Sequence, residues 1–200
     1  RWLANKYHIE IKERELTSEE KQRESERESM FIVNEWAAKY FQDILQNDVD
    51  GRAIGMQYFR SRGFRDDIIK KFQLGFALTQ RTALFDEAVK QGYNPKFLVA
   101  TGLCFKVDKN EAGNKSGEDK YLDRFSGRAI FPWLSVSGKV VAFGGRVLDS
   151  RTKGVNQKYV NSPDSEIYHK ERELYGLYQA KKAIAKEDCV YMVEGYTDVI

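Results

Sequence analysis

Near one end of this chain, Glu194-Gly195-Tyr196-Thr197-Asp198 sets two carboxylates four positions apart around a glycine. The apolar run before them, Cys189-Val190-Tyr191-Met192-Val193, reads as a buried strand that breaks into a turn and then a helix. Ligands bind at such strand ends in α/β sheets. Paired carboxylates there suit Mg²⁺, a hard cation that takes oxygen ligands and shares them with phosphates. The same acids can instead cap the following helix, whose N-terminus attracts negative charge. A second feature is Phe143-Gly144-Gly145-Arg146. Two glycines after a strand let the backbone approach a ligand closely, and an arginine can then fork onto a phosphate; a bulge or sheet bend uses the same pair. In Lys158-Tyr159-Val160-Asn161-Ser162-Pro163, Lys158 supplies a point charge, Asn161 and Ser162 can donate to phosphate oxygens, and Tyr159 can stack or pack. An ordinary strand ending in an Asn-Ser-Pro turn has the same pattern. Arg128, before Phe131-Pro132, and Lys170, before a helical stretch, are further candidate cations.

The elements that must position these residues fall into two halves. Segment 10–28 is almost devoid of apolar residues, as expected of an exposed helix carried by charge pairs or of a linker. From Met30 onward Val33, Trp36, Ala37, Tyr40, Phe41, Ile44 and Leu45 recur at three- and four-residue spacing and predict an amphipathic helix. Shorter helices are expected from Arg52 to a stop at Gly63, over 65–71, and over 81–91 with Leu84, Phe85, Ala88 and Val89 facing inward. Asn94-Pro95 marks another helix start, and Gly102 its end. Residues 110–120 read as a polar loop. The runs from Arg128 to Val136 and Lys139 to Leu148 flank Ser137-Gly138 and predict a hairpin. Residues 174–186 read as a helix with Leu174, Leu177, Tyr178 and Ile184 on one side. The fold class is therefore α+β: a helical first half, a mixed sheet with a hairpin, and a closing α/β segment.

Composition narrows the function classes. The chain has 200 residues, 42% hydrophobic and 32% charged, which is globular composition and long enough to bury a core. No apolar run has bilayer-spanning length, and the start lacks a secretory signal pattern. Both ends look cut, so a piece of a longer protein is expected. Two cysteines 85 positions apart and two histidines are too few and too scattered for structural zinc, and two reduced, packed cysteines are expected. Net charge is only +3, but Lys120–Arg172 carries ten basic residues against five acidic ones, and Arg52–Lys71 six against two. On charge alone, a mild basic excess of this kind is read as solvated surface.

Order decides what single motifs do not. Arg124-Phe125, Gly127-Arg128-Ala129-Ile130-Phe131-Pro132, the Gly138–Arg146 run with Phe-Gly-Gly-Arg, Lys158-Tyr159-Val160-Asn161-Ser162-Pro163, Lys170, Leu174-Tyr175-Gly176-Leu177 and Val193-Glu194-Gly195-Tyr196-Thr197-Asp198 occur in series. From about Met30 to Ile200 this series resembles the catalytic core of bacterial DnaG-type DNA primases, with Tyr58-Phe59, Arg62-Gly63 and Leu74-Gly75-Phe76 similar to that family's helical lead-in. Thr197 stands where a hydrophobic residue such as Met is common.

The resemblance implies a DNA-directed RNA polymerase that makes short RNA primers on single-stranded DNA from ribonucleoside triphosphates, in the bacterial cytoplasm. Residues 1–29 would connect an upstream module, 30–169 would be the N-terminal subdomain of the core, and 170–200 the opening of the metal-binding Toprim fold. Glu194 would bind Mg²⁺ or Mn²⁺ or assist proton transfer, with Asp198 beside it. Arg128, Arg146, Lys158, Asn161 and Lys170 would line the cleft for template and nucleotide phosphates. The family's zinc module would lie upstream, its later Asp-x-Asp and its helicase-binding domain downstream, so the 200-residue chain is expected to make no primers alone. Rival identities are another Toprim-type enzyme, which would lack the Phe-Gly-Gly-Arg and Lys-Tyr-Val-Asn-Ser-Pro segments, and a non-catalytic single-strand-binding module.

Overall fold

A computed structural model describes residues 6–7, 17–107, 119–148 and 157–200. The loop expected over 110–120, except its last residues, and the start of the charged segment 10–28 lie outside the described residues. The fold is α+β, with helices in the first half and antiparallel sheets in the second.

Helix α1 (Ser18–Asn47) begins where Thr17 and Glu20 cap each other. The Thr17 hydroxyl accepts the Glu20 amide at 3.2 Å, and the Glu20 carboxylate accepts the Thr17 amide at 2.9 Å. The charged stretch from Ser18 is thus helix, continuous through residues 29 and 30 where composition changes. Exposed ion pairs tie it to the body, Arg23 to Glu166 at 2.7 Å and Glu26 to Lys96 at 2.7 Å. Such pairs contribute about 1 kcal/mol or less each. The apolar half does more, burying Met30, Val33, Ala37, Ala38, Phe41 and Leu45. A π-helical turn (Gly51–Met56) follows, then α2 (Gln57–Ser61), α3 (Asp66–Lys71), the short strand β1 (Gly75–Phe76), α4 (Ala83–Lys90) and α5 (Pro95–Ala100). Asn94 caps α5 by accepting the Lys96 amide at 2.9 Å. In α4, Leu84 and Ala88 are buried, whereas Val89, expected inward, is 44% exposed. It falls one position beyond the i, i+4 stripe that faces the core.

Strands β2 (Cys104–Val107) and β3 (Lys120–Asp123) pair with each other. The predicted hairpin forms as β4 (Arg128–Leu134) and β5 (Val140–Val147), inside a four-stranded antiparallel sheet of order β1-β4-β5-β6 with β6 at Tyr159–Asn161. Every residue of β5 is buried, because both faces of the sheet are covered. On one face α1 packs Phe41 edge-on against Phe143 at 5.6 Å, and the Asn34 amide donates to the Val141 carbonyl at 3.0 Å. On the other lie Phe59, Phe131, Tyr175 and Tyr196. Pro132 is tolerated inside β4 because β1 pairs only with Ala129 and Ile130, leaving β4 without that neighbour farther along.

The chain closes with a 3₁₀ turn (Lys170–Arg172), α6 (Leu177–Glu187) and α7 (Tyr196–Val199). Three expectations are corrected here. The helix predicted from Leu174 starts only at Leu177, because Gly176 is left-handed at φ 82°, and no residue of α6 is buried. Residues 189–193 are not a buried strand: Tyr191 is 90% and Met192 75% exposed, and no described strand lies alongside to complete a ladder. Cys104 is buried, but Cys189, expected to be packed, is exposed; both are free thiols. No helix among the described residues is long and apolar enough to cross a membrane.

One buried carboxylate holds the helical half to the strands. Asp123, ending β3, accepts the amides of Leu84 at 2.8 Å and Phe85 at 3.1 Å at the start of α4, and the Cys104 thiol at 3.5 Å. Burial pushes its carboxyl up to about 6, against those three donors, which favour the charged form. A carboxyl raised in the folded state stabilises the fold below its ordinary range and loses that contribution as pH rises through 6. Thermal midpoints should therefore fall as pH rises from about 4 to about 7, a change worth roughly 2–3 kcal/mol. Asp123→Asn should be less stable overall and flat across the same interval; an unchanged slope in that variant would assign the titration elsewhere.

Candidate nucleic-acid interface

The β-strand period of two sorts the candidate cations onto opposite faces of the sheet. The register pairs Ala129 with Arg146, Phe131 with Gly144, Gly144 with Asn161 and Arg146 with Tyr159, so Arg146, Tyr159 and Asn161 share the face that carries Phe131. Arg128 lies on the other face, paired with Val147.

Arg128 is 9% exposed, and its guanidinium donates to the carbonyls of Gln157 and Lys158 at 3.2 Å and of Gly145 at 3.4 Å. Its role is to tie β4 to the chain entering β6. Arg128, expected to line a cleft, is placed on the sheet face away from Tyr159 and Asn161, with both terminal guanidinium nitrogens bonded to backbone carbonyls. Arg146 is 2% exposed, its guanidinium 4.9 Å from the centre of the Tyr58 ring and 5.9 Å from that of Tyr159. Arg62 lies over the same Tyr58 ring at 5.5 Å. Tyr58 therefore joins two arginines by cation–π contact, a role that its place in an apolar helix did not signal.

The tandem glycines also differ from expectation. Gly144 and Gly145 lie in the middle of β5, and what approaches them is protein. A Cβ on Gly144 would collide with the Tyr196 hydroxyl, and one on Gly145 would come within 2.7 Å of the Phe125 ring. Tyr196 lies flat on Phe131, with centroids 4.9 Å apart and planes 9° apart, and edge-on to Tyr175 at 4.6 Å and Trp133 at 6.0 Å. Its hydroxyl accepts the Trp133 indole N–H at 2.9 Å and donates to the Asn161 side-chain oxygen at 2.7 Å. Burial raises the phenol's pKa, while the Trp133 bond lowers it. Sequence reasoning placed chemistry on the acids flanking Tyr196 and missed the tyrosine that seats them.

Around this aromatic seat is a cleft of about 630 Å³. Tyr159, Asn161, Lys170, Glu194 and Asp198 all line it, together with apolar residues of 174–193. Lys170 is exposed, its backbone N–H held by the Asp164 carboxylate at 3.0 Å. Lys158 is exposed at the entry to β6 and does not line the cleft. Asp198 accepts the Gly195 amide at 3.2 Å, so the capping alternative is realised for that acid. Glu194 is exposed beside it. A divalent cation takes about six oxygen ligands. Among the described residues no group of three or more His, Cys, Asp or Glu gathers, so Glu194 and Asp198 do not make a complete Mg²⁺ site between them. The cleft sets one exposed cation, an amide and an accessible ring beside three carboxylates, Glu173, Glu194 and Asp198. The first three suit a phosphate-bearing, stackable ligand, and the carboxylates suit a divalent cation shared with its phosphates.

Comparison with known proteins gives the family. Residues 40–181 match the family model described as the DNA primase catalytic core, N-terminal domain. A DNA primase of Halalkalibacterium halodurans is 37% identical over 198 residues, covering 99% of this chain and 31% of that protein. One from Synechococcus elongatus is 35% identical over 200 residues, covering 99% of this chain and 27% of the relative. The chain thus spans about a third or less of the length of these relatives. Among solved structures, a DnaG primase catalytic domain bound to ssDNA superposes with a TM-score of 0.73 at 31% identity, over 87% of this chain and 51% of that one. The Escherichia coli primase catalytic core gives 0.70 at 32% identity, over 85% and 50%. This chain belongs to the family of DNA primase catalytic-core N-terminal domains.

Proposed function

We propose that this chain is the template-gripping part of a DNA primase, a DNA-directed RNA polymerase that lays short RNA primers on single-stranded DNA. The observation that carries this is the cleft, where Tyr159, Asn161 and Lys170 meet Glu194, in a fold shared with a primase domain bound to ssDNA. Template must be held whatever its sequence, which calls for phosphate-directed cations and donors plus a ring on which any base can stack. Tyr159 is 39% exposed, with the Arg146 guanidinium 5.9 Å and the Tyr196 ring 6.0 Å from its centre, so the ring is held by its neighbours and partly open to a base. Ribonucleoside triphosphates would be the second ligand and a replicative helicase a partner of the parent protein, working in the bacterial cytoplasm. Residues 30–169 would act as the N-terminal subdomain and 170–200 as the start of a Toprim fold, with 1–29 leading in.

Mg²⁺ or Mn²⁺ in the complete enzyme would hold triphosphate oxygens and assist the attacking hydroxyl. Glu194 would be one oxygen donor, with the others drawn from outside the described residues. No catalytic step is assigned to this chain. The test is fluorescence anisotropy with a labelled oligothymidylate, alongside a template-dependent RNA synthesis assay. Binding should weaken with salt, with a log–log slope of about −1.5 to −3, as for two to four phosphates neutralised on a single strand. No primer should be made. Salt-independent binding, or RNA synthesis by the 200-residue chain, would contradict this assignment.

A further inference from the structure

The hydrogen bonds at Tyr196 form a chain with a fixed direction. The Trp133 indole N–H can only donate, and it donates to the Tyr196 oxygen at 2.9 Å. The single phenolic proton is then committed to the other neighbour, Asn161, at 2.7 Å. Asn161 must therefore present its oxygen to Tyr196, which leaves its NH₂ as the end free to serve a ligand. That matters because Asn161 lines the cleft, and a phosphate oxygen accepts but cannot donate. With the amide reversed, Asn161 would turn an acceptor toward it.

We infer that Tyr196 is a positioning residue which, driven by Trp133, fixes the Asn161 amide as a donor toward anionic oxygen in the cleft. This rests on the nucleic-acid function proposed above. The phenol cannot swing away to relax the chain, because Phe131 lies under its ring and Tyr175 and Trp133 close its edges. Burial, which raises its pKa, keeps the donated proton in place at neutral pH.

The test is a double-mutant cycle on oligothymidylate affinity with wild type, Tyr196→Phe, Asn161→Ala and the double variant. Tyr196→Phe keeps the ring and removes the proton, and it should weaken binding about 3- to 10-fold, the worth of one hydrogen bond. If Tyr196 acts through Asn161, the double variant binds no more weakly than Asn161→Ala alone. The salt slope should stay at the wild-type value, because no cation is lost. Fully additive losses, or a changed slope, would overturn the inference while leaving the nucleic-acid function standing. A second readout needs no ligand. In ¹⁵N–¹H spectra, Tyr196→Phe should shift the Asn161 side-chain NH₂ pair and speed solvent exchange of the Trp133 indole proton. If wild type binds no oligothymidylate, the function proposed for this chain fails, and the spectra still decide the amide's orientation: unchanged Asn161 resonances would overturn it.

Discussion

A Gly144→Ala variant is expected to unseat Tyr196 and, with it, the order of residues 195–200. The added methyl would occupy the place of the tyrosine hydroxyl and the adjoining ring carbons. Neither partner has an easy way out. Gly144 is locked in the sheet between Phe131 and Asn161, and the ring is stacked on Phe131 and hydrogen-bonded at its tip to Trp133 and Asn161. Overpacking of this kind costs about 1–3 kcal/mol. For a chain this long each kcal/mol lowers the midpoint by roughly 2–4 °C. The larger effect should be local, because α7 is held to the sheet through Tyr196 while Val199 and Ile200 pack in the same cluster. The amides of Asp198, Val199 and Ile200, bonded to the Gly195 and Tyr196 carbonyls, should lose hydrogen-exchange protection, while those of β4 and β5 keep it. Asn161 would then lose the Tyr196 hydroxyl that holds its amide, and oligothymidylate affinity should fall about tenfold, equivalent to about 1.4 kcal/mol. Unchanged protection at Asp198, Val199 and Ile200 would mean that the ring is not seated on Gly144 in solution.

Much of the scaffold was legible in residue patterns, and the reasons are local. The stripe from Met30 to Leu45 sets α1's buried face, Asn94-Pro95 sets the start of α5, and the glycine-containing turn at 135–138 sets the hairpin. The Thr17-x-x-Glu20 capping box was equally legible and would have placed the polar start of α1 in a helix. Long-range packing was not legible. Tyr196 and Gly144 stand far apart in sequence, and nothing in Phe-Gly-Gly-Arg says whether a ligand or a side chain approaches the glycines. Residue type identifies Arg128 and Arg146 as cations but not the direction of either. Strand alternation separates them once the register with β4 is known, and only pairing reveals that register. The run 189–193 shows the complementary limit. Apolar composition marks residues that suit a sheet, but a strand exists only where a neighbour supplies its hydrogen bonds.

The second large effect concerns charge beside β6. Lys170 lines the cleft and Lys158 stands outside it at the entry to β6; both are exposed, so replacing them removes charge without opening the core. Arg146 is a poorer probe, because at 2% exposure its loss would also strip packing from Tyr58 and Tyr159. The most direct measurement is oligothymidylate titration at two salt concentrations with wild type, a Lys158→Ala, Lys170→Ala pair and a charge-matched Lys21→Ala, Lys39→Ala pair on the exposed side of α1. The first pair should weaken low-salt binding about tenfold or more and flatten the log–log salt slope by about 1.4, the contribution of two single-strand phosphate contacts. The α1 pair should bind as wild type. Equal losses from both pairs would mean that the chain holds DNA only through its diffuse positive charge, and would contradict a template groove beside β6.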